Sequence, residues 1–67
     1  MIRIKVNGKD WQVETESTVT NLLSRLKLSS KVCVVEKNGE ILGKKTYNKS
    51  VLKNGDQIEI IRMMAGG

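Results

Sequence analysis

The chain closes on Met63-Met64-Ala65-Gly66-Gly67, directly after an isoleucine-rich run over 58–61, and these last residues are where chemistry could lie. Glycine has the highest entropic cost of being held in place, so a closing Gly-Gly adds little to a core. What it offers is slimness. Ala65, Gly66 and Gly67 have almost no side-chain bulk, so their backbone can pass a narrow channel and lie against another protein's catalytic groups. Residues 63–67 can extend about 17 Å, enough to thread into such a site. The functional group would be the Gly67 carboxylate. A carboxylate is a poor electrophile, but transfer of an adenylyl group onto it gives a mixed anhydride with a good leaving group. A sulfur donor attacking that anhydride leaves a terminal thiocarboxylate. The chain contains no Gly-x-x-x-x-Gly-Lys-Ser/Thr loop for holding a nucleotide, so the activating enzyme must be a separate protein.

Little else in the composition is reactive. The chain has 67 residues, one cysteine and no histidine, which excludes zinc clusters, Cys-His nucleophiles and internal disulfides. Cys33 sits in the apolar run "KVCVVE" and reads as a small buried hydrophobe. A chain this short buries roughly 60% of its unfolded surface and makes one thin-cored domain. There is room for a binding surface or a presented tail, and little for a catalytic pocket; no independent enzyme is expected. No segment has the length or hydrophobicity of a signal peptide or membrane span, so a reduced, cytoplasmic setting is the expectation. The net charge of +5 is spread over scattered lysines, and Trp11 and Tyr47 are the only aromatics. That is poor provision for stacking nucleic-acid bases, and a solvated basic surface is expected.

The elements that would position the tail follow from periodicity. Ile2, Ile4 and Val6 alternate with Arg3 and Lys5, a half-buried strand. Asn7-Gly8 predicts a type I′ hairpin leading into "DWQVE", with Trp11 and Val13 inward. Val19, Leu22, Leu23 and Leu26 then fall at i, i+3, i+4 and i+7, the stripe of a short helix. Thr18 or Ser17 is its N-cap, and Arg25 and Lys27 suit its C-terminal end. "KVCVVEK" is a third strand, turned by Asn38-Gly39 into the short strand "EIL". Residues 43–52 read as irregular, with Val51-Leu52 tucked under as one helical turn. "KNGD" turns into the final strand "QIEIIRM". The order β-β-α-β-β-β, with one helix on one face of a mixed sheet, predicts an α+β, β-grasp fold. Its last strand would lie parallel to the first at the sheet's centre, and the helix makes the crossover. The expected division is a domain over 1–62 and a flexible tail over 63–67. Ile58 and Ile60 should face the helix. Glu59 and Ile61 should face out, and Ile61 with Met63 then offers a docking contact for partners.

Taken together, "IKVNGK", "TVTNLLSRL", "VVEKNGEIL" and "NGDQIEIIRMMAGG" resemble the ThiS family, the bacterial sulfur carriers of thiamine biosynthesis, from Ile2 to Gly67. The resemblance implies the ubiquitin-like β-grasp fold. It also implies a cycle in which an E1-like adenylyltransferase uses ATP and magnesium to adenylate Gly67, the chain itself binding no cofactor. A relay from a cysteine desulfurase then supplies the sulfur, and thiazole synthase takes it into the thiazole of thiamine. Gly66 and Gly67 carry over as motif residues with a chemical role, and Ala65 matches a position that is small in the family. The +5 charge departs from the near-neutral or acidic balance expected of that group.

Alternative readings share the fold. The small subunit of molybdopterin synthase has the same tail and activation but serves a pterin acceptor. A protein modifier would use the same activated carboxyl to form isopeptide bonds. A basic β-grasp domain binding RNA or protein, with an incidental tail, is a different class, and salt-sensitive RNA binding that survives loss of Gly66-Gly67 would mark it.

Overall fold

The computed structural model describes residues 1–63. The strands are β1 (Ile2–Val6), β2 (Lys9–Val13), β3 (Cys33–Lys37), β4 (Glu40–Ile41) and β5 (Gln57–Arg62), with one helix, α1 (Val19–Arg25). They form one mixed sheet in the order β2-β1-β5-β3-β4. β5 lies at its centre, parallel to β1 and antiparallel to β3, as the β-grasp expectation required. Both hairpin turns have the positive φ of type I′ at both central residues: Asn7 at 50° and Gly8 at 82°, Asn38 at 53° and Gly39 at 86°.

The alternating residues meet as their periods predict. Ile4, Val6, Val13, Val35, Ile58 and Ile60 line the inner face of the sheet and bury against Val19, Leu22 and Leu23 of α1. Cys33 is fully buried in the same cluster, as a small hydrophobe. Trp11 is only partly buried, packed at the cluster's edge with the Arg25 guanidinium over its ring.

A helix of this length could not persist alone, and both its ends are held by other groups. Thr18 is the N-cap; its side chain accepts from the Asn21 N–H at 3.2 Å while Asn21 accepts from the Thr18 N–H at 2.9 Å, a capping box with Asn in the place of Glu or Gln. The two remaining free N–H groups at that end, of Val19 and Thr20, donate to the carbonyls of Ser50 and Tyr47. At the other end Lys27 takes φ 60°, Leu28 N–H donates to Leu23 O and Lys27 N–H to Ser24 O. That is the pattern of a Schellman cap, with lysine where glycine is usual. Arg25 donates from Nη1 to Gln12 O at 2.7 Å, tying the helix end to β2.

One local expectation is corrected. Val51-Leu52 is not a helical turn. Val51 forms a lone antiparallel bridge with Thr18, and Leu52 N–H donates to Ser17 O. Residues 50–52 are held extended because the helix N-terminus needs their main-chain groups, and Leu52 is buried in the process. The short helical turns fall instead at Lys44–Thr46 and Ser30–Val32, the latter over residues predicted to begin the third strand.

Candidate functional site

Everything the sequence placed at the functional end depends on β5. Its burial alternates as expected: Ile58 and Ile60 are buried, Gln57, Glu59 and Ile61 exposed. Ile61 is 50% exposed and faces away from the helix, so the predicted phase of the strand holds. Across the sheet Ile61 is opposite Val34, and Glu59 is opposite Glu36, which is itself opposite Ile41. The open face therefore carries Ile61, Val34 and the 70% exposed Ile41 around two facing carboxylates. Met63 is equally exposed as Ile61, and its N–H donates at 2.7 Å to the carbonyl of Val32, in the helical turn just before β3, so main-chain bonding on that side runs on to the last described residue. Ala65, Gly66 and Gly67, the predicted tail residues, lie outside the described residues.

The neighbours of β5 hold it from both sides by main-chain pairing, with asparagine side chains adding bonds at Gln57 and Ile60. Main-chain groups alternate along a strand, so Gln57 and Met63 bond towards β3 while Ile58 and Ile60 bond towards β1. Asn7 N–H donates to Ile58 O at 2.9 Å. The chain then leaves β1 for the hairpin, yet Ile60 is not left open. Its N–H donates to Asn7 Oδ1 at 2.7 Å, and its carbonyl accepts from Asn7 Nδ2 at 3.2 Å. On the other side Asn38 Oδ1 accepts from Gln57 N–H at 2.9 Å, and Asn38 Nδ2 donates to Asp56 Oδ1 at 3.0 Å. Asp56 Oδ2 in turn accepts from Lys53 N–H at 2.8 Å and closes the turn into β5. At the entry to β1, Asn54 Oδ1 accepts from Arg3 N–H. The sequence signals Asn7-Gly8, Asn38-Gly39 and Asn54-Gly55 as turns; that their side chains also bind the central strands has no local signature.

Among the described residues, no group of three His, Cys, Asp or Glu side chains could hold a metal ion, and no helix is long and apolar enough to cross a membrane.

A single helix over a mixed five-stranded sheet, with the last strand central and leading into a small-residue terminus, is the β-grasp architecture of a small carrier domain. The sequence comparisons narrow the class. The model of the ThiS family matches residues 2–67, and the sulfur carrier protein ThiS of Bacillus subtilis is 39% identical over 66 residues, spanning 96% of this chain and 98% of that protein. A crystal structure of the thiamine biosynthesis protein ThiS from Geobacter metallireducens superposes with a TM-score of 0.84 at 36% identity, over 98% of this chain and 100% of that one. Thiazole synthase of Paramagnetospirillum magneticum is 32% identical over 66 residues, which is 98% of this chain and 20% of that longer protein. The chain belongs to the ThiS family, the small sulfur carriers of thiamine biosynthesis.

Proposed function

We propose that the sulfur travels on Gly67. Its carboxylate oxygen attacks the α-phosphorus of ATP in a separate E1-like adenylyltransferase that supplies the magnesium site, and pyrophosphate leaves. The outer sulfur of a persulfide on a cysteine desulfurase relay attacks the acyl carbon and AMP leaves. A second thiol then attacks the relay-side sulfur of the acyl disulfide, forms a disulfide with the relay, and releases the terminus as a thiocarboxylate. Thiazole synthase is the acceptor, and the setting is cytoplasmic. The observation that carries this reading is the extent of the family match, which runs through Ala65 and Gly66 to Gly67 instead of stopping with the folded core.

Partnership with thiazole synthase draws support from the Paramagnetospirillum magneticum protein. A segment similar to this chain makes up a fifth of a polypeptide called thiazole synthase. Two parts joined in one polypeptide meet at high effective concentration, which suits a carrier and its acceptor. For docking, the exposed Ile61 and Met63, with Val34 opposite Ile61 on the open face, supply an adaptable apolar contact close to the start of the tail.

The test is intact mass spectrometry after incubation with the activating enzyme, ATP and a sulfur donor. The expected species has one oxygen replaced by sulfur. Added thiazole synthase and its substrates should return it to the carboxylate as thiazole forms. Sulfur passing to a pterin precursor but not to the thiazole precursor would overturn the acceptor, and attachment of Gly67 to protein lysines as its main fate would overturn sulfur carriage.

A further inference from the structure

We infer that Asn7 is a positioning residue for the carrier's tail: its side-chain amide acts as an extra rung of the central ladder and sets where β5 hands over to the residues beyond it. The inference rests on the carrier reading proposed above, and on geometry that stands apart from it.

In a regular parallel pair, β1 would continue beside β5 and offer Ile60 one carbonyl and one N–H. Here β1 ends at Val6 and the chain turns back at Asn7-Gly8. The Asn7 amide supplies both missing groups, at 2.7 Å and 3.2 Å. Its orientation is forced, because Ile60 N–H can only donate and so must face the amide oxygen. A primary amide has the donor and acceptor of a peptide group in nearly the same arrangement, so the ladder gains one rung after the backbone has gone. Beyond Ile60, the described residues 61–63 are paired on the β3 side, at Val34↔Ile61, Cys33↔Arg62 and the Met63 to Val32 bond. Asn7 is thus the last holder on the β1 side before the tail. A strand held on one side alone can slip or fray, and a one-residue slip exchanges its two faces.

Asn38 is the built-in comparison. It sits in the same turn type and also binds β5 through its side chain, but at Gln57, the end remote from the tail. Glycine at either asparagine preserves the turn, since Gly-Gly is itself suited to type I′, and removes only the amide.

The experiment pairs amide hydrogen exchange by NMR with steady-state kinetics of the activating enzyme on Asn7→Gly, Asn7→Asp and Asn38→Gly. Asn7→Gly should speed exchange at Ile60 about tenfold, with Gln57 unchanged. It should raise the KM of the activating enzyme for this carrier roughly threefold at constant kcat, because only the fraction with a correctly placed tail binds. Asn7→Asp should act in the same direction, since it keeps the acceptor for Ile60 N–H but sets a carboxylate oxygen against the Ile60 carbonyl. Asn38→Gly should loosen Gln57 and leave KM unchanged. Unchanged exchange at Ile60 in Asn7→Gly would refute the rung. Faster exchange at Ile60 with unchanged KM, or equal rises in KM for the Asn7→Gly and Asn38→Gly proteins, would reduce Asn7 to a stabilising residue. No adenylation of the unaltered protein would overturn the carrier reading and the purpose given to the rung, while exchange at Ile60 would still report whether the rung exists.

Discussion

Tyr47 and Ile61 show what single residues contribute on the two sides of the sheet. Tyr47 comes from a polar stretch, "KKTYNKS", with no apolar period around it, yet it is 2% exposed. Its hydroxyl accepts the Val35 N–H at 3.2 Å and donates to Cys33 O at 3.5 Å. It thereby serves β3 where the two-residue β4 does not reach. A buried N–H left without a partner costs about 1–3 kcal/mol, which is why an aromatic with a polar tip suits that place. Ile61 does the opposite, standing half-exposed on the open face with only Val34 across from it. Ile61→Asp should therefore change folding stability by only about 0.5 kcal/mol, read from the urea midpoint, while weakening capture by both the activating enzyme and thiazole synthase. Unfolding of the variant would show that Ile61 belongs to the core, and unaltered affinities would remove it from the docking surface.

At the scale of elements, α1 is a helix kept by its surroundings. Its stripe of Val19, Leu22 and Leu23 is buried, and its N-terminal N–H groups are shared between the Thr18 side chain and the carbonyls of Ser50 and Tyr47. The segment over 47–52 thus has a purpose its composition does not announce: it completes the helix end. Thr18→Ala removes the side-chain acceptor for Asn21 N–H and should cost about 1 kcal/mol, with Thr18→Ser restoring most of it. Equilibrium unfolding in denaturant measures both. A Thr18→Ala protein as stable as the parent would mean that the main-chain bonds to Ser50 and Tyr47 suffice to hold the helix.

For the molecule as a whole, the decisive contact joins its two ends. β1 begins at residue 2 and β5 reaches residue 62, and the two pair in parallel at the sheet's centre. The strand that precedes the tail pairs with β1 at Gln57 and Ile58 and with β3 from Ile58 to Arg62, and the Asn7 side chain adds one further rung on the β1 side at Ile60. Adding one residue after Gly67, or deleting Gly67, touches no core position and should leave thermal unfolding unchanged while abolishing ATP-dependent adenylation. An extended protein adenylated as fast as the parent would sink the proposal that the Gly67 carboxylate is the reacting group.

The sequence by itself determined the strands, the helix and their order, through a period of two for Ile2, Ile4 and Val6, one between three and four for Val19, Leu22, Leu23 and Leu26, and an apolar run closed by Asn38-Gly39 for the third strand. It also determined the two type I′ turns, through Asn-Gly pairs suited to positive φ, and the faces of β5, through simple alternation. The chemistry proposed for the tail was suggested by residue types alone, since it needs no pocket, and Ala65, Gly66 and Gly67 lie outside the described residues. Tertiary structure alone decided what the polar groups do once the strands have met. Asn7 reaches Ile60 across 53 residues of sequence, Asn38 reaches Gln57 across 19, and Tyr47 reaches Val35 across 12. No period or spacing encodes such bonds, because each exists only after the strands have paired and brought together main-chain groups that must be satisfied. The extended course of Val51-Leu52 has the same origin: a local reading suggested a helical turn, and the unsatisfied end of α1 drew the segment out instead.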